Sequence, residues 1–223
     1  MAYSYSAIKD FYNCPRKYYE TRILKKWPKE EKSEQIIYGE DVHKALEEHI
    51  TINKPLGPHS RYQDTMDALI AIPGEKLPEV RMALNEELKP VDFFAADVFI
   101  RGVADLVIID RDKKRATIFD YKTGKANYPD PEQLELMALM VFRLFPEIEE
   151  VKAALLFVVH NKVIPAAYER KDEKVKWNKW GVKIANIENA QDSGVWNENP
   201  TGLCGWCVVR DCPHFRERKQ HAA

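Results

Sequence analysis

The chain has almost no net charge, no long apolar run and few cysteines, and each shortage closes off a class of function. Thirty-four Lys and Arg stand against 35 Asp and Glu, a formal charge of −1. No global basic field therefore draws in nucleic acid, and any such contact has to come from a local patch. No apolar run approaches the roughly 20 residues needed to cross a bilayer. The opening MAYSYSAIKDFYNC lacks the basic-then-apolar layout of a secretory leader, so a cytosolic protein is expected. Four cysteines in a reducing compartment point to metal ligands or free thiols rather than disulfides. The sequence also has no internal repeat and no low-complexity tract.

What is present suits one sizeable core: 223 residues, 45% of them hydrophobic and 31% charged. The first segment, YSYSAIKDFYNCPRKYY, opens with Ser6 as an expected N-cap, and Ile8, Phe11 and Tyr12 follow at helical spacing. Pro15 should end or kink that helix near Cys14. After a charged linker, a second helix is expected from about Ile36 to about Ile52, before NKPLGP breaks it. Residues 61–88 read as one or two further helices divided by IPGEKLP.

The pattern then changes to strands. ADVFIRG, ADLVIID and RATIFDY are rich in β-branched and aromatic residues, with IDRDKKR as the turn between the second and third. PEQLELMALMVFRLF predicts an amphipathic helix with Asp130 as N-cap and Pro131 at its first position. AALLFVVHNKVIPAAY reads as two strands joined around Asn161 and Lys162. A polar helix follows with a Val175, Val182, Ile184 and Ile187 stripe, and the tail is loop-like and holds three of the cysteines. The sum is an α+β chain.

Two acids and a lysine interrupt the apolar strands. Strand side chains alternate faces, so Asp120 and Lys122 point one way and Tyr121 the other. If the neighbouring run pairs with this one, Asp105 lies beside Asp120. Two adjacent carboxylates repel, and holding both ionised calls for a cation between them. Oxygen ligands with open positions suit Mg²⁺ or Mn²⁺. A nearby ammonium could orient water or stabilise charge on phosphorus. The plain alternative is that Asp105 caps a strand and that Asp120 and Lys122 form a surface ion pair. Against it, charge inside an apolar run is costly without a partner.

Cys204, Cys207 and Cys212 have the spacing C-x2-C-x4-C, while Cys14 lies far away in sequence. Such thiolates suit tetrahedral Zn²⁺, with His214 as a possible fourth ligand, or an iron–sulfur cluster. Two stretches mix cations with aromatics, as single-strand binders do: Arg16, Lys17, Tyr18 and Tyr19, and Lys176, Trp177, Lys179 and Trp180. For the two tryptophans, burial in the core is the favoured reading.

GVADLVIID followed by ATIFDYKTG resembles the core of the PD-(D/E)XK nuclease superfamily, in particular its RecB-like branch. YGEDVHKALEEHI is similar to the branch's Gly-x-x-x-His helix, with Gly39 and His43. YSYSAIKDFYNCPRKYY resembles its N-terminal segment, and CGWCVVRDCPHF its C-terminal cysteine cluster. These motifs run in family order across nearly the whole chain.

The resemblance implies a restriction-endonuclease-like mixed sheet flanked by helices. It implies one nuclease domain over residues 1–223, in which about 1–35 and 195–216 form the cysteine region. Asp105, Asp120, His43 and the main-chain carbonyl of Tyr121 would hold Mg²⁺ or Mn²⁺, and Lys122 would be catalytic. Gln133 would contact the lysine or the substrate backbone, with Met137 standing where the family usually has tyrosine. Glu86 or Glu87 is a weaker candidate for a further acid. The same resemblance implies that Cys14, Cys204, Cys207 and Cys212 clamp a [4Fe–4S] cluster, shielded by Leu203, Trp206 and Phe215, with Zn²⁺ as the alternative.

The implied activity is metal-dependent exonuclease action on single-stranded DNA or DNA ends, in a bacterial or archaeal cell or a phage-infected host. A catalytically weak or inactive DNA-binding accessory protein of recombination, phage replication or CRISPR adaptation is the alternative. A zinc-stabilised adaptor without a nucleic-acid role is a third reading.

Overall fold

The computed structural model describes residues 2–27, 32–125 and 129–216. In chain order the helices are α1 (Tyr5–Asn13), α2 (Pro15–Tyr18), α3 (Glu34–Ile52) and α4 (Gln63–Ala71), then α5 (Glu132–Leu144) and α6 (Glu173–Ser193). The strands are β1 (Glu75–Leu84), β2 (Ile100–Asp110), β3 (Arg115–Lys122), β4 (Glu150–Phe157) and β5 (Lys162–Glu169). The chain divides into two compact units, one of residues 1–2 and 32–178, the other of residues 3–31 and 179–223.

The first unit is built on a five-stranded mixed sheet in the order β1-β2-β3-β4-β5. Neighbouring strands are antiparallel except β3 and β4, which run parallel and are joined through α5. A parallel pair needs such a crossover, because a tight turn can only reverse the chain. The two edge strands carry Pro78 and Pro165, residues tolerated there because a missing ladder donor faces no partner.

Helix α3 starts at Ser33, whose hydroxyl accepts a bond from the Ile36 amide, and stops at Asn53 in the left-handed conformation (φ 53°). Val42 and Leu46 of α3 join Met66 and Leu69 of α4 over Leu106, Ile108, Tyr121 and Leu156. Helix α5 is buried along most of its length. Tyr121 belongs to the α3–α4 cluster, while Asp120 and Lys122 meet Gln133 of α5. Successive strand residues face opposite ways, so these two groups of helices cover opposite faces.

Several expectations shift. The N-cap of α1 is Ser4, not Ser6; its hydroxyl takes the Ala7 amide. Helix α5 begins one residue later than expected, with Pro131 as cap and the Asp130 carboxylate receiving the Glu132 amide. ADVFIRG is not a separate strand, since residues 100–110 form one continuous β2.

The largest difference is β1, where PEVRMAL was expected in a helix. Its residues are good helix formers, but pairing along nearly all of β2 overrides that weak preference. Gly74 makes the entry possible: with φ at 125°, a Cβ there would lie 2.7 Å from the Ile109 carbonyl.

In the second unit α1 gives way to α2 at Pro15 and then to a π-helical turn over Tyr19–Ile23. Tyr18 and Tyr19 stack on Trp196, with ring centroids 6.0 and 4.8 Å away.

Candidate active site

The site grows from the end of the β2–β3 ladder. Pairing runs to Leu106 opposite Phe119 and stops. Just beyond it come Asp105 on β2 and Asp120 on β3, near enough for the charge of Asp105 to raise the pKa of Asp120. There the side chain takes over from the backbone: Asp105 Oδ2 accepts the Tyr121 amide at 2.6 Å. The other carboxylate oxygen, Oδ1, lies 3.0 Å from Nδ1 of His43, which α3 delivers one turn after Gly39. That approach depends on glycine, because a Cβ on residue 39 would sit 2.9 Å from Thr123 Oγ1.

Asp120 is only 4% exposed. Its Oδ1 accepts a bond from Gln133 Nε2 at 2.7 Å, and Gln133 Oε1 accepts one from Lys122 Nζ at 3.1 Å. Gln133 thus spans the acid and the lysine and fixes both. Lys122 Nζ also lies 2.5 Å from Asp120 Oδ2. The angle at that contact is poor, and Oδ2 has no proper hydrogen bond among the described residues. A buried carboxylate oxygen with an open lone pair is what a divalent cation would use.

The electrostatics follow from burial. Desolvation pushes Asp120 up to about 6, with Asp105 adding to the rise and Lys122 opposing it. His43 is pulled down by burial, but the Asp105 carboxylate outweighs that and holds it above its ordinary value. The buried phenol of Tyr121 is pushed up, by desolvation first and then by Asp105.

A further acid was not anticipated from sequence. Glu79 is directly across from Asp105 in the β1–β2 register, yet the two are not paired. Its φ is 48°, an uncommon conformation for a side chain larger than glycine. Burial raises its pKa first, then the charges of Asp105 and Glu47. Strained backbone beside clustered acids is a recurrent mark of a working site. Two signals pointed there: Val80, Met82 and Leu84 alternate as strand residues do, and Pro78 argues against a helix interior. Glu86 and Glu87 lie elsewhere, in a hollow with Asp97 and Phe99.

His43 and Glu79 open onto a groove of about 1200 Å³, whose wall also holds Lys44, Glu47, Thr123 and Lys125. As they stand, no three described His, Cys, Asp or Glu side chains converge tightly enough to hold a metal ion. The donor set itself fits a hard cation: two neighbouring carboxylates, one with a buried oxygen held only by the Lys122 ion pair, an imidazole and a third acid close by.

Within the second unit, Cys14, Cys204, Cys207 and Cys212 line one cavity of about 170 Å³, together with His214, Leu203 and Phe215. Trp206 is 63% exposed and is not on that wall, so it does not shield the thiols as expected. The Thr201 amide points at Cys204 Sγ from 3.2 Å, a donor suited to a thiolate. Arg16 is engaged in ion pairs with Glu198 (2.7 Å) and Asp211 (3.6 Å), and Lys17 lines the cysteine cavity. Trp177 and Trp180 are buried, as expected.

No curated protein sequence matches the chain. Two solved structures align with the chain, each at 14% identity. One, a crystal structure named SSO0001, aligns over 96% of this chain and 87% of its own, with a TM-score of 0.44. The other, from Eubacterium rectale, is named "Putative exonuclease"; it aligns over 100% of this chain and 91% of its own, with a TM-score of 0.52. The family model for the PD-(D/E)XK nuclease superfamily matches residues 2–212. With the match spanning nearly the whole chain, and with Asp105, Asp120 and Lys122 gathered near the end of the β2–β3 pairing, the chain belongs to the PD-(D/E)XK nuclease superfamily.

Proposed function

We propose that the chain is a divalent-metal-dependent deoxyribonuclease of the RecB-like branch, an exonuclease acting on single strands or free ends. The observation that carries this reading is the closeness of the Asp105 and Asp120 carboxylates, with Lys122 held beside Asp120 by Gln133. Mg²⁺ or Mn²⁺ would be held by Asp105, Asp120, His43 and the Tyr121 carbonyl, with Glu79 close by. When bound, the ion supplies positive charge that acidifies water and offsets charge on the phosphate.

The chain's own groups do the rest. Lys122 presents a fixed ammonium to a phosphate oxygen or to the incoming water. Gln133 and Asp120 together hold that ammonium in place. His43 orients Asp105. In the hydrolysis, water oxygen bonds to phosphorus, one phosphoester P–O bond breaks and the leaving oxygen takes a proton. The exonuclease part of the reading draws on the RecB-like resemblance and on the name of the Eubacterium rectale protein. In the second unit, the cavity with four thiols supports a [4Fe–4S] cluster, with Zn²⁺ as the alternative.

The test is degradation of linear and circular single-stranded DNA in Mg²⁺ or Mn²⁺ by the wild type and by Asp120→Asn. The reading expects the wild type to digest the linear strand and spare the circle, with the variant inert. Equal degradation by the two proteins overturns the nuclease assignment. Cutting of the circle overturns the exonuclease part. Tight binding without turnover in either metal would select the non-cleaving accessory role.

A further inference from the structure

The groove beside the site is poorly charged for a polyanion. Its wall carries Glu34, Glu40, Glu47 and Glu79 against Lys44 and Lys125. Phosphates must be gripped elsewhere, and the first unit offers one place. Between β1 and β2 a turn closed by the Ala95 amide on the Asp92 carbonyl (3.0 Å) holds Phe93 and Phe94 at its tip. Their rings meet edge to face, 5.1 Å between centroids, and Phe94 is 74% exposed.

Two guanidiniums cover Phe93: Arg101 at 5.3 Å and Arg81 at 5.9 Å from its centroid. Neither arginine has an ion-pair partner among the described residues. A lone exposed phenylalanine needs no explanation. An exposed phenylalanine beside two unpaired arginines is the pairing of stacking platform and phosphate anchor that binds single strands.

The patch is continuous with the site. Arg101, Val103 and Asp105 follow one another at strand spacing along β2, all partly exposed. Their neighbours Ile100 and Ala104 are buried, and a Cβ on Gly102 would meet Met140 of α5 at 3.6 Å. Arg101, Val103 and Asp105 are thus alternate, partly exposed positions of one strand. On β1, Arg81 is two residues from Glu79 and close enough to lower the pKa of its carboxyl. At about 3.3 Å per residue, Arg81 lies about 7 Å and Arg101 about 13 Å along the strands from the acids.

We infer that Phe94, Arg81 and Arg101 form a binding site for single-stranded nucleic acid, which leads one strand to the acids. Phe94 stacks on an unpaired base, and the arginines take adjacent phosphates. The inference rests on the deoxyribonuclease reading for its choice of ligand, and its test is separable from that reading.

The experiment measures binding of fluorescein-labelled oligo-dT to the full chain in EDTA, across a salt series, for wild type, Phe94→Ala, Arg81→Gln and Arg101→Gln. Melting curves confirm that each variant is folded. Phe94→Ala is expected to weaken binding roughly 10-fold or more. Each arginine variant should reduce the log–log salt slope by about 0.7, one single-strand phosphate contact. Unchanged affinity and slope in all three variants overturn the inference, as does absence of wild-type binding at low salt. Losses in the arginine variants alone, with Phe94→Ala unaffected, overturn the single-strand assignment. Cleavage is scored separately. If wild type and Asp120→Asn are equally inert in Mg²⁺ while Phe94→Ala still loses oligo-dT, the nuclease reading fails and the binding site stands.

Discussion

At the scale of single residues the site is governed by one buried carboxylate. Asp120 has a folded-state pKa of about 6, set mainly by desolvation, against about 3.9 unfolded. Between those values the folded chain binds more protons than the unfolded one, so the metal-free fold loses stability as pH rises through that window. Asp120→Asn removes the titration. In EDTA the melting temperature of this variant relative to wild type should therefore increase from pH 4 to pH 6 and level off above it. A relative melting temperature that stays flat across the window would contradict the burial argument. Mn²⁺ needs Asp120 ionised and His43 neutral, so its affinity for the wild type should rise over the same range and keep rising until His43 has lost its proton.

Tyr121 gives a second residue-level prediction. Its hydroxyl is buried with no hydrogen-bond partner among the described residues. Losing an unpaired buried donor should leave stability unchanged or raise it by about 1 kcal/mol. Only the carbonyl of Tyr121 is proposed to serve the metal, so Tyr121→Phe should keep full cleavage. A large loss of activity would give the phenol a role that this account lacks.

At the scale of elements, the spacing of β3 made Asp120 and Lys122 readable, because alternation alone puts them on one side and Tyr121 on the other. Gln133 was readable only through the family resemblance, which implies a glutamine-bearing helix after the lysine. Glu79 was not read as part of the site. PEVRMAL carries helix-forming residues, and its position across from Asp105 is created only when β1 pairs with a strand some 25 residues away. Long-range pairing is information that local propensity does not hold.

The same scale supplies a test of how α3 is seated. Gly39→Ala brings a methyl within 2.9 Å of Thr123 Oγ1, and a branched side chain yields only by changing rotamer. The substitution should displace His43 slightly and slow cleavage, since shifts of about 1 Å near a reacting centre can cost up to about 100-fold. Thr123→Ala in the same chain should restore most of the rate. Failure of that rescue would mean that Gly39 matters for some other reason.

At the scale of the whole molecule the thiols are the feature to test. Cys14 and the three late cysteines come from segments about 190 residues apart in sequence and share one cavity. Closing so long a loop is entropically expensive, and a metal group held by both segments would offset that cost. Protein purified without oxygen should be brown and contain iron, and Cys14→Ser should lose the colour and melt at a lower temperature. Colourless protein with stoichiometric zinc would replace the cluster by the zinc alternative. Neither outcome bears on the first unit's acids, since the thiols belong to the other unit.

The central claim is that Asp105 and Asp120 jointly hold one divalent ion. Anomalous scattering from crystals soaked in Mn²⁺ tests it most directly. The account predicts a manganese peak within bonding distance of both carboxylates, adjacent to His43 and Lys122. A peak bound to neither acid, or none at saturating Mn²⁺ with both side chains ordered, would contradict it.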